Sequence, residues 1–306
     1  MNFSLRQLRY FVTIAELGQV SRAAEQLHVT PSAVTISLRD LENELGYRLF
    51  KRESHGMELT EDGRHFLAHA HAVELAVANA QNIPRQRQVS GDLLLAATPT
   101  LVGYFLPEHI YRLSGLHSGL RIDMLELDRR GIEDGLLAGK FDIAMLVISN
   151  VTDPGLKTQT LVDSQRRLWV PAGHHLTSES EVSLAEIAKE PLMMLTADEA
   201  GEAAQRYWKH YGYAPDVRLR SSSIEAVRSM VGNGLGVAIA SDMQYRPWSL
   251  EGKRVESVRV KEPIPAMSVG LAWRTESKCT PAMKMVQDYF RQRFLDPHNR
   301  HKFVRR

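Results

Sequence analysis

Residues 18–52, GQVSRAAEQLHVTPSAVTISLRDLENELGYRLFKR, read as two helices joined by a tight turn and followed by a short basic strand. Leu27 closes the first of these helices, and Thr30 and Pro31 open the second. A threonine hydroxyl accepts from a free N–H at a helix start, and proline loses nothing at the first helical position. Val34, Leu38, Leu41 and Leu45 then recur at spacings of four, three and four, one buried stripe. Ser32, Thr35, Ile36 and Arg39 lie on the opposite side, near the helix N-terminus. A helix anchored along one face, with small groups and an arginine at the free end of the other, suits the major groove of DNA. Arg48, Lys51 and Arg52 follow the helix, where phosphates would lie.

Outward from this stretch, Leu5, Leu8, Val12 and Ala15 predict an earlier amphipathic helix stopped by Gly18, and Ser21 is expected to cap the next one. Residues 47–60, YRLFKRESHGMELT, read as a hairpin around Ser54, His55 and Gly56, a wing beside the reading helix. A longer helix is expected from 60–63 to about Asn82. Phe66, Ala70, Val73, Val77 and Ala80 form a heptad seam on it. A helix lying on its own domain is the plain account of such a seam. Its place between a DNA reader and a second domain favours pairing with another copy of the chain. Residues 85–90 are polar and read as a linker.

Beyond Gly91 strands and helices alternate, with strands expected at 92–97, 120–127, 141–148, 168–170, 192–195, 217–219, 237–240 and 267–273. Helices are expected at 106–114, 132–138, 184–188, 201–211, 224–231 and 281–294. Such alternation implies mainly parallel sheets, here in two α/β lobes with a ligand cleft between them.

Taken together these segments closely resemble the LysR-type transcriptional regulators. The likeness rests on Ser21-Arg22-Ala23-Ala24-Glu25-Gln26-Leu27-His28-Val29-Thr30, on Ala33-Val34-Thr35 through Leu41-Glu42, and on Leu45-Gly46, Arg48-Leu49-Phe50 and Arg52. Leu59-Thr60-Glu61-Asp62-Gly63 resembles that family's junction to its dimerisation helix. Residues 139–144 (GKFDIA) and 232–238 (GNGLGVA) resemble recurring segments of its effector domain. The resemblance implies a winged helix-turn-helix over 1–60, a dimerisation helix and hinge over 61–90, and an effector domain over 91–306. That domain would have two lobes like type 2 periplasmic binding proteins, one of 91–162 plus 266–306 and one of 163–265. It also implies a homodimer that pairs into a tetramer, double-stranded DNA and a small-molecule effector as partners, and RNA polymerase as a further contact. Two departures stand out: Ile36, where many members carry a polar residue, and the less familiar loop Asp128-Arg129-Arg130.

The expected DNA contacts are Ser21, Arg22, Thr30, Ser32, Ala33, Thr35, Ile36, Arg39, Arg48 and Arg52. The expected effector contacts are Thr98, Thr100, Leu101, Arg130, Thr196 and Ser223. Hydroxyls at two helix starts facing one cleft suggest an acidic effector; simple helix capping explains Thr98, Thr100 and Ser221–Ser223 as well.

Bulk numbers narrow the function classes. The chain has 306 residues, 43% hydrophobic and 24% charged, long enough for two or three cores. A single cysteine, Cys279, excludes an internal disulfide framework. MNFSLRQLRYF lacks the apolar core of a signal peptide, and the longest aliphatic run, 143–148, is too short for a bilayer. The expectation is a soluble cytoplasmic protein with no membrane contact. Net charge is only +2, and residues 1–60 balance seven Lys/Arg against seven Asp/Glu. DNA binding therefore rests on local arrangement: no acid lies between Gln26 and Arg39, and Asp40, Glu42 and Glu44 come later.

Rival constellations fail on context. Gly232, Gly234 and Gly236 follow a helix and precede a strand, the reverse of a dinucleotide-binding fingerprint. His65 and His69 are four apart but lack a third ligand, and His298 and His301 sit in a basic tail. No metal site, cofactor or catalytic set is expected. A transporter's solute-binding component or an enzyme on the same two-lobed fold are the alternatives. The attached DNA reader argues against the first, and the absence of a catalytic constellation against the second.

Overall fold

The computed structural model describes residues 3–53, 56–82 and 90–295. Residues 83–89, which hold most of the expected linker, and the basic tail 296–306 lie outside that description. The chain separates into two compact units, one running to Arg87 and the other starting at Gln88.

In the first unit, α1 (Leu5–Leu17) starts in a capping box, Ser4 accepting from the Gln7 N–H and Gln7 accepting from the Ser4 N–H. It ends at Gly18, whose φ of 66° is left-handed. α2 (Val20–Leu27) begins two residues earlier than its cap residue suggested. Gln19 stands at the N-cap without a side-chain bond, and Ser21 is an exposed helical residue. Val20 packs against the domain core, and drawing it into the helix outweighs one capping bond. α3 (Pro31–Leu45) is capped as its sequence indicates: the Thr30 hydroxyl accepts from the Ala33 N–H at 3.2 Å, and Gly46 ends it at φ 81°. Strands β1 (Phe50–Glu53) and β2 (Gly56–Leu59) pair antiparallel as the wing.

α4 (Glu61–Asn82) follows, its start held by the Thr60 hydroxyl accepting from the Gly63 N–H. A Cβ on Gly63 would lie 2.1 Å from the Leu49 carbonyl oxygen, so helix and wing backbones touch there. Leu8, Phe11, Ile14, Ala23, Val34 and Leu41 form the core with Phe66 and Ala70 of α4. The Phe11 and Phe66 rings meet edge-on at 5.0 Å. Two positions of the heptad seam are thus filled by the chain's own domain, and Val73 packs on the same cluster. Val77 is half-buried, and the Ala80 side chain lies outside the described residues.

The second unit opens with β3 (Gly91–Ala97), α5 (Pro99–Tyr104), α6 (Leu106–Leu116), β4 (Leu120–Glu126), α7 (Arg129–Leu137) and β5 (Ile143–Val147). Then come β6 (Leu156–Ser164), β7 (Arg166–Pro171), β8 (Glu181–Val182), α8 (Leu184–Ile187), β9 (Leu192–Leu195), α9 (Ala200–His210) and β10 (Val217–Ser221). The unit closes with α10 (Ile224–Gly232), β11 (Ala238–Ser241), β12 (Val255–Val260), β13 (Met267–Arg274) and α11 (Pro281–Phe294). The first lobe's sheet has the order β4-β3-β5-β13-β6, and the second lobe has β11-β7-β12-β8 and β10-β9.

The expectation of mainly parallel sheets needs correction. β13 runs antiparallel to both β5 and β6, and β7 runs antiparallel to β11 and β12. Strands β6, β8 and β12 were not anticipated. β6 buries only Leu156, Leu161 and Ser164 of nine residues, too few for an alternating pattern. The chain leaves the first lobe after Ser164 and re-enters at Met267, the two residues paired across β6 and β13. Arg166 Nε donates to the Pro265 carbonyl at 2.9 Å, so the two crossing segments run side by side.

The three glycines near 234 serve a turn from α10 to β11. Gly234 is left-handed at φ 78°, and a Cβ on Gly236 would strike the Pro191 carbonyl oxygen at 2.3 Å.

Candidate DNA-reading surface and effector cleft

Along α3 the buried stripe Val34, Leu38 and Leu41 leaves Ser32, Ala33, Ile36 and Arg39 exposed, with Ile36 half-accessible at 50%. The Thr35 hydroxyl donates to the Pro31 carbonyl at 2.9 Å, so it offers only its lone pairs and methyl outward. Arg39 lies 4.0 Å from Asp40, a loose exposed pair. Thr30 is spent on the cap. Arg22 is half-buried and Ser21 exposed on α2, and Arg52 is exposed on β1 opposite Met57.

Arg48 has a different setting from the one its position suggests. Its guanidinium donates to Glu42 at 2.7 Å, and the buried Glu42 carboxylate also accepts from the N–H groups of Leu49 at 2.8 Å and Phe50 at 3.2 Å. Glu42 thereby ties the last turn of α3 to the wing. Sequence reasoning placed this residue among the acids that follow the acid-free half of the helix. Its signal was its spacing of four from Leu38 on the buried stripe, which marks it as inward.

In the second unit, Thr98 and Thr100 are both buried at the junction of β3 and α5. They face the loop of the other lobe that carries Asp198 and Glu199. The Asp198 carboxyl lies beside both threonine side chains and the Thr100 backbone and interacts with them electrostatically. Its Oδ2 and the Thr98 Oγ1 nevertheless lie out of water without a well-aligned bond. Burial pushes the Asp198 carboxyl above its ordinary range, the threonine bonds pull it back, and nearby Glu126 pushes it up again. Asp198 and Glu199 are left-handed, at φ 48° and 63°. The chain's own carboxylate therefore occupies the place read as an anion site.

Further hydrogen bonds join the lobes. Arg129 donates to Glu199 at 2.6 Å and to Glu133 at 2.7 Å, and Asn150 also donates to Glu199. Gln244 Nε2 donates to the Thr100 hydroxyl at 3.2 Å. The Tyr104 hydroxyl donates to Glu225, and its pKa is pushed up to about 12 by burial first and by that bond second. Arg228, 1% exposed, bonds Glu225 and the Gln244 carbonyl and lies over the Trp169 ring at 5.2 Å.

Several expected effector contacts have other tasks. The Leu101 side chain is fully buried in the first lobe's core, and its N–H donates to the Thr98 carbonyl at 2.9 Å. Arg130 is exposed, whereas its neighbour Arg129 makes the crossing pair. Thr196 donates its N–H to the Ser221 carbonyl, and Ser223 caps α10 by accepting from the Ala226 N–H. Asn150, Asp198, Glu199 and Gln244 were missed because partners 49 to 144 positions apart carry no periodicity. Among the described residues no helix is long and apolar enough to cross a membrane.

Comparison with known proteins agrees with this geometry. The model for bacterial regulatory helix-turn-helix proteins of the lysR family matches residues 5–64, and the LysR substrate binding domain matches residues 86–295. The RuBisCO operon transcriptional regulator of Allochromatium vinosum is 26% identical over 293 residues, covering 94% of this chain and 96% of that one. The DNA-binding transcriptional dual regulator OxyR of Escherichia coli K12 is 27% identical over 300 residues, covering 96% and 97%. The crystal structure of HinK, a LysR family transcriptional regulator from Pseudomonas aeruginosa, superposes with a TM-score of 0.64 at 26% identity, covering 95% and 98%. Full-length CbnR complexed with its target DNA has a TM-score of 0.56 at 21% identity, covering 94% and 99%, a likeness of fold.

Proposed function

The chain belongs to the LysR family of bacterial helix-turn-helix regulators, and from that premise we propose how its parts work. It is a DNA-binding transcriptional regulator with an effector-binding domain of two α/β lobes. In our reading Ser32, Ala33, Thr35, Ile36 and Arg39 meet base edges in the major groove, while Ser21, Arg22 and Arg52 hold phosphates. Ile36 would pack on a thymine methyl. Arg48, bound to Glu42, would position the wing and touch phosphate with its exposed edge.

The observation that carries this reading is the exposed, acid-free N-terminal half of α3 above a fully buried stripe. A gel shift on the DNA upstream of the chain's own gene and its divergent neighbour tests it. We expect retardation that weakens steeply with salt; affinity equal to that for unrelated DNA at every salt concentration refutes it.

The working assembly in this reading is a homodimer through the later turns of α4, paired into a tetramer, acting in the cytoplasm and able to contact RNA polymerase. It is a regulator with no reaction of its own. A small molecule binding between the lobes shifts their arrangement, since only differential affinity moves such an equilibrium. An anionic effector would take Thr98 and Thr100 from Asp198. Thr100→Val should then remove the ligand response and leave basal operator binding intact; unchanged ligand affinity by calorimetry places the site elsewhere. Relatives named as hydrogen peroxide-inducible genes activators raise a redox alternative. One cysteine, the exposed Cys279, cannot form a disulfide within the chain.

A further inference from the structure

Apart from His65, His69, His298 and His301, the chain carries an adjacent histidine pair, His174 and His175. In the second lobe, β7 ends at Pro171, and a turn through Gly173 at φ 73° brings these two side by side. Their rings lie 4.4 Å apart between centroids, tilted by 33°. Opposite them stands Glu190, from the segment between α8 and β9.

The Glu190 carboxylate presents one oxygen to each ring. Oε2 lies 3.7 Å from His174 Nε2, and Oε1 lies 3.5 Å from His175 Nε2. Both distances are too long for good hydrogen bonds. One ligand atom from each of the three residues falls within 4.8 Å of the others. Tetrahedral zinc bound at about 2.0–2.1 Å sets its donors roughly 3.3 Å apart, so modest side-chain rotations close the set.

The backbone beneath is held in place. The His174 N–H donates to the Pro171 carbonyl at 3.2 Å, the Thr177 N–H and hydroxyl donate to the His174 carbonyl, and the Glu190 N–H donates to the Ile187 carbonyl at 3.1 Å. The carboxylate and His174 are largely shielded, while His175 is 68% exposed and provides the entry.

The geometry points to a divalent transition-metal site formed by His174, His175 and Glu190 on the second lobe, separate from the effector cleft. Two imidazoles and one carboxylate suit zinc, cobalt, nickel or copper over magnesium or calcium, which prefer all-oxygen sets. Three protein ligands leave one position for water. Metal on His174 Nε2 puts the ring proton on Nδ1, which now accepts from the Leu176 N–H at 3.3 Å. That long contact is given up on loading, so the site is expected to bind in the micromolar range rather than as tightly as a structural zinc centre. Occupancy would clip the turn after β7 to the segment that feeds β9 and stabilise this lobe by mass action.

The test uses the full-length protein, stripped with EDTA and titrated with zinc by calorimetry and with cobalt by visible absorption. We expect one saturable equivalent per chain, with cobalt bands of the intensity that four- or five-coordinate sites give. Glu190→Gln and His175→Ala, whose folding circular dichroism checks, should each weaken binding at least about tenfold. The double variant His65→Ala, His69→Ala should bind as the unmodified chain does. No saturable equivalent, or an equivalent unaffected by both Glu190→Gln and His175→Ala, overturns the site. Loss of the equivalent in the His65, His69 variant overturns it as well.

Discussion

Arg129, at the first turn of α7 in one lobe, donates through Nε to Glu199 of the other lobe at 2.6 Å. Glu199 is held there in a left-handed backbone conformation and also accepts from Asn150. The pair spans the cleft and links two segments 70 positions apart in the chain.

Removing that pair should loosen the lobes. Both side chains are about one-fifth exposed, so solvent screening reduces the value of the bond. We expect Arg129→Ala to cost about 1 kcal/mol, a midpoint lower by roughly 2–4 °C for a unit of this size. Arg130→Ala should leave the midpoint unchanged. Equal effects of the two changes in calorimetry would remove Arg129 from the lobe contact.

Asp198 imposes a pH dependence whose sign follows from its raised pKa. Relative to the unfolded value of 3.8, the folded form holds its proton more tightly. Its contribution to stability is present below that value and is lost as pH rises through the higher folded value. At neutral pH Asp198→Asn should therefore raise the midpoint, and the gain should vanish toward pH 3. A gain that instead grew on acidification would invert the assignment.

Asp198→Ala should vacate the place between Thr98 and Thr100 for a small carboxylate. Acetate should then raise the variant's melting temperature saturably and leave that of the unmodified chain in place. Equal response of both proteins would show that Asp198 does not block the hydroxyls.

Glu42 is expected to govern the wing. Glu42→Ala leaves the Leu49 and Phe50 N–H groups buried without an acceptor, at a cost of about 2–4 kcal/mol. Chemical denaturation of the isolated change measures this. A loss no larger than that of Glu44→Ala, an exposed neighbour, would contradict the role.

On DNA, a bulky residue at Thr35 should lower operator affinity more than affinity for unrelated sequence. Arg52→Ala should weaken both and reduce the salt slope by about one. For the dimer, Val77→Glu is the informative change, because Val73 packs on its own domain and a charge there would disturb folding as well. Val77→Glu remaining fully dimeric in analytical ultracentrifugation would exclude this part of α4 from the interface.

Elements whose causes are local follow from the amino-acid order alone. Ser4, Thr30 and Thr280 cap their helices as their side chains allow, Gly18 and Gly46 end theirs at left-handed angles, and the stripe Val34, Leu38, Leu41 is buried. Three- and four-residue spacing makes such features readable one turn at a time. Tertiary structure decided what depends on residues far apart in the chain. It turned Phe66, Ala70 and Val73 of the α4 seam inward, since Phe66 meets Phe11 only once α1 folds back. It set β13 antiparallel between β5 and β6, because a chain crossing between lobes can return in either direction. It placed Asp198 against Thr98 and Thr100, and Glu190 before His174 and His175, from loops whose residues follow no period. Helix caps and stripes are short-range consequences of backbone geometry, whereas the cleft and the meeting of Glu190 with His174 and His175 arise only when separate loops are packed to a common surface.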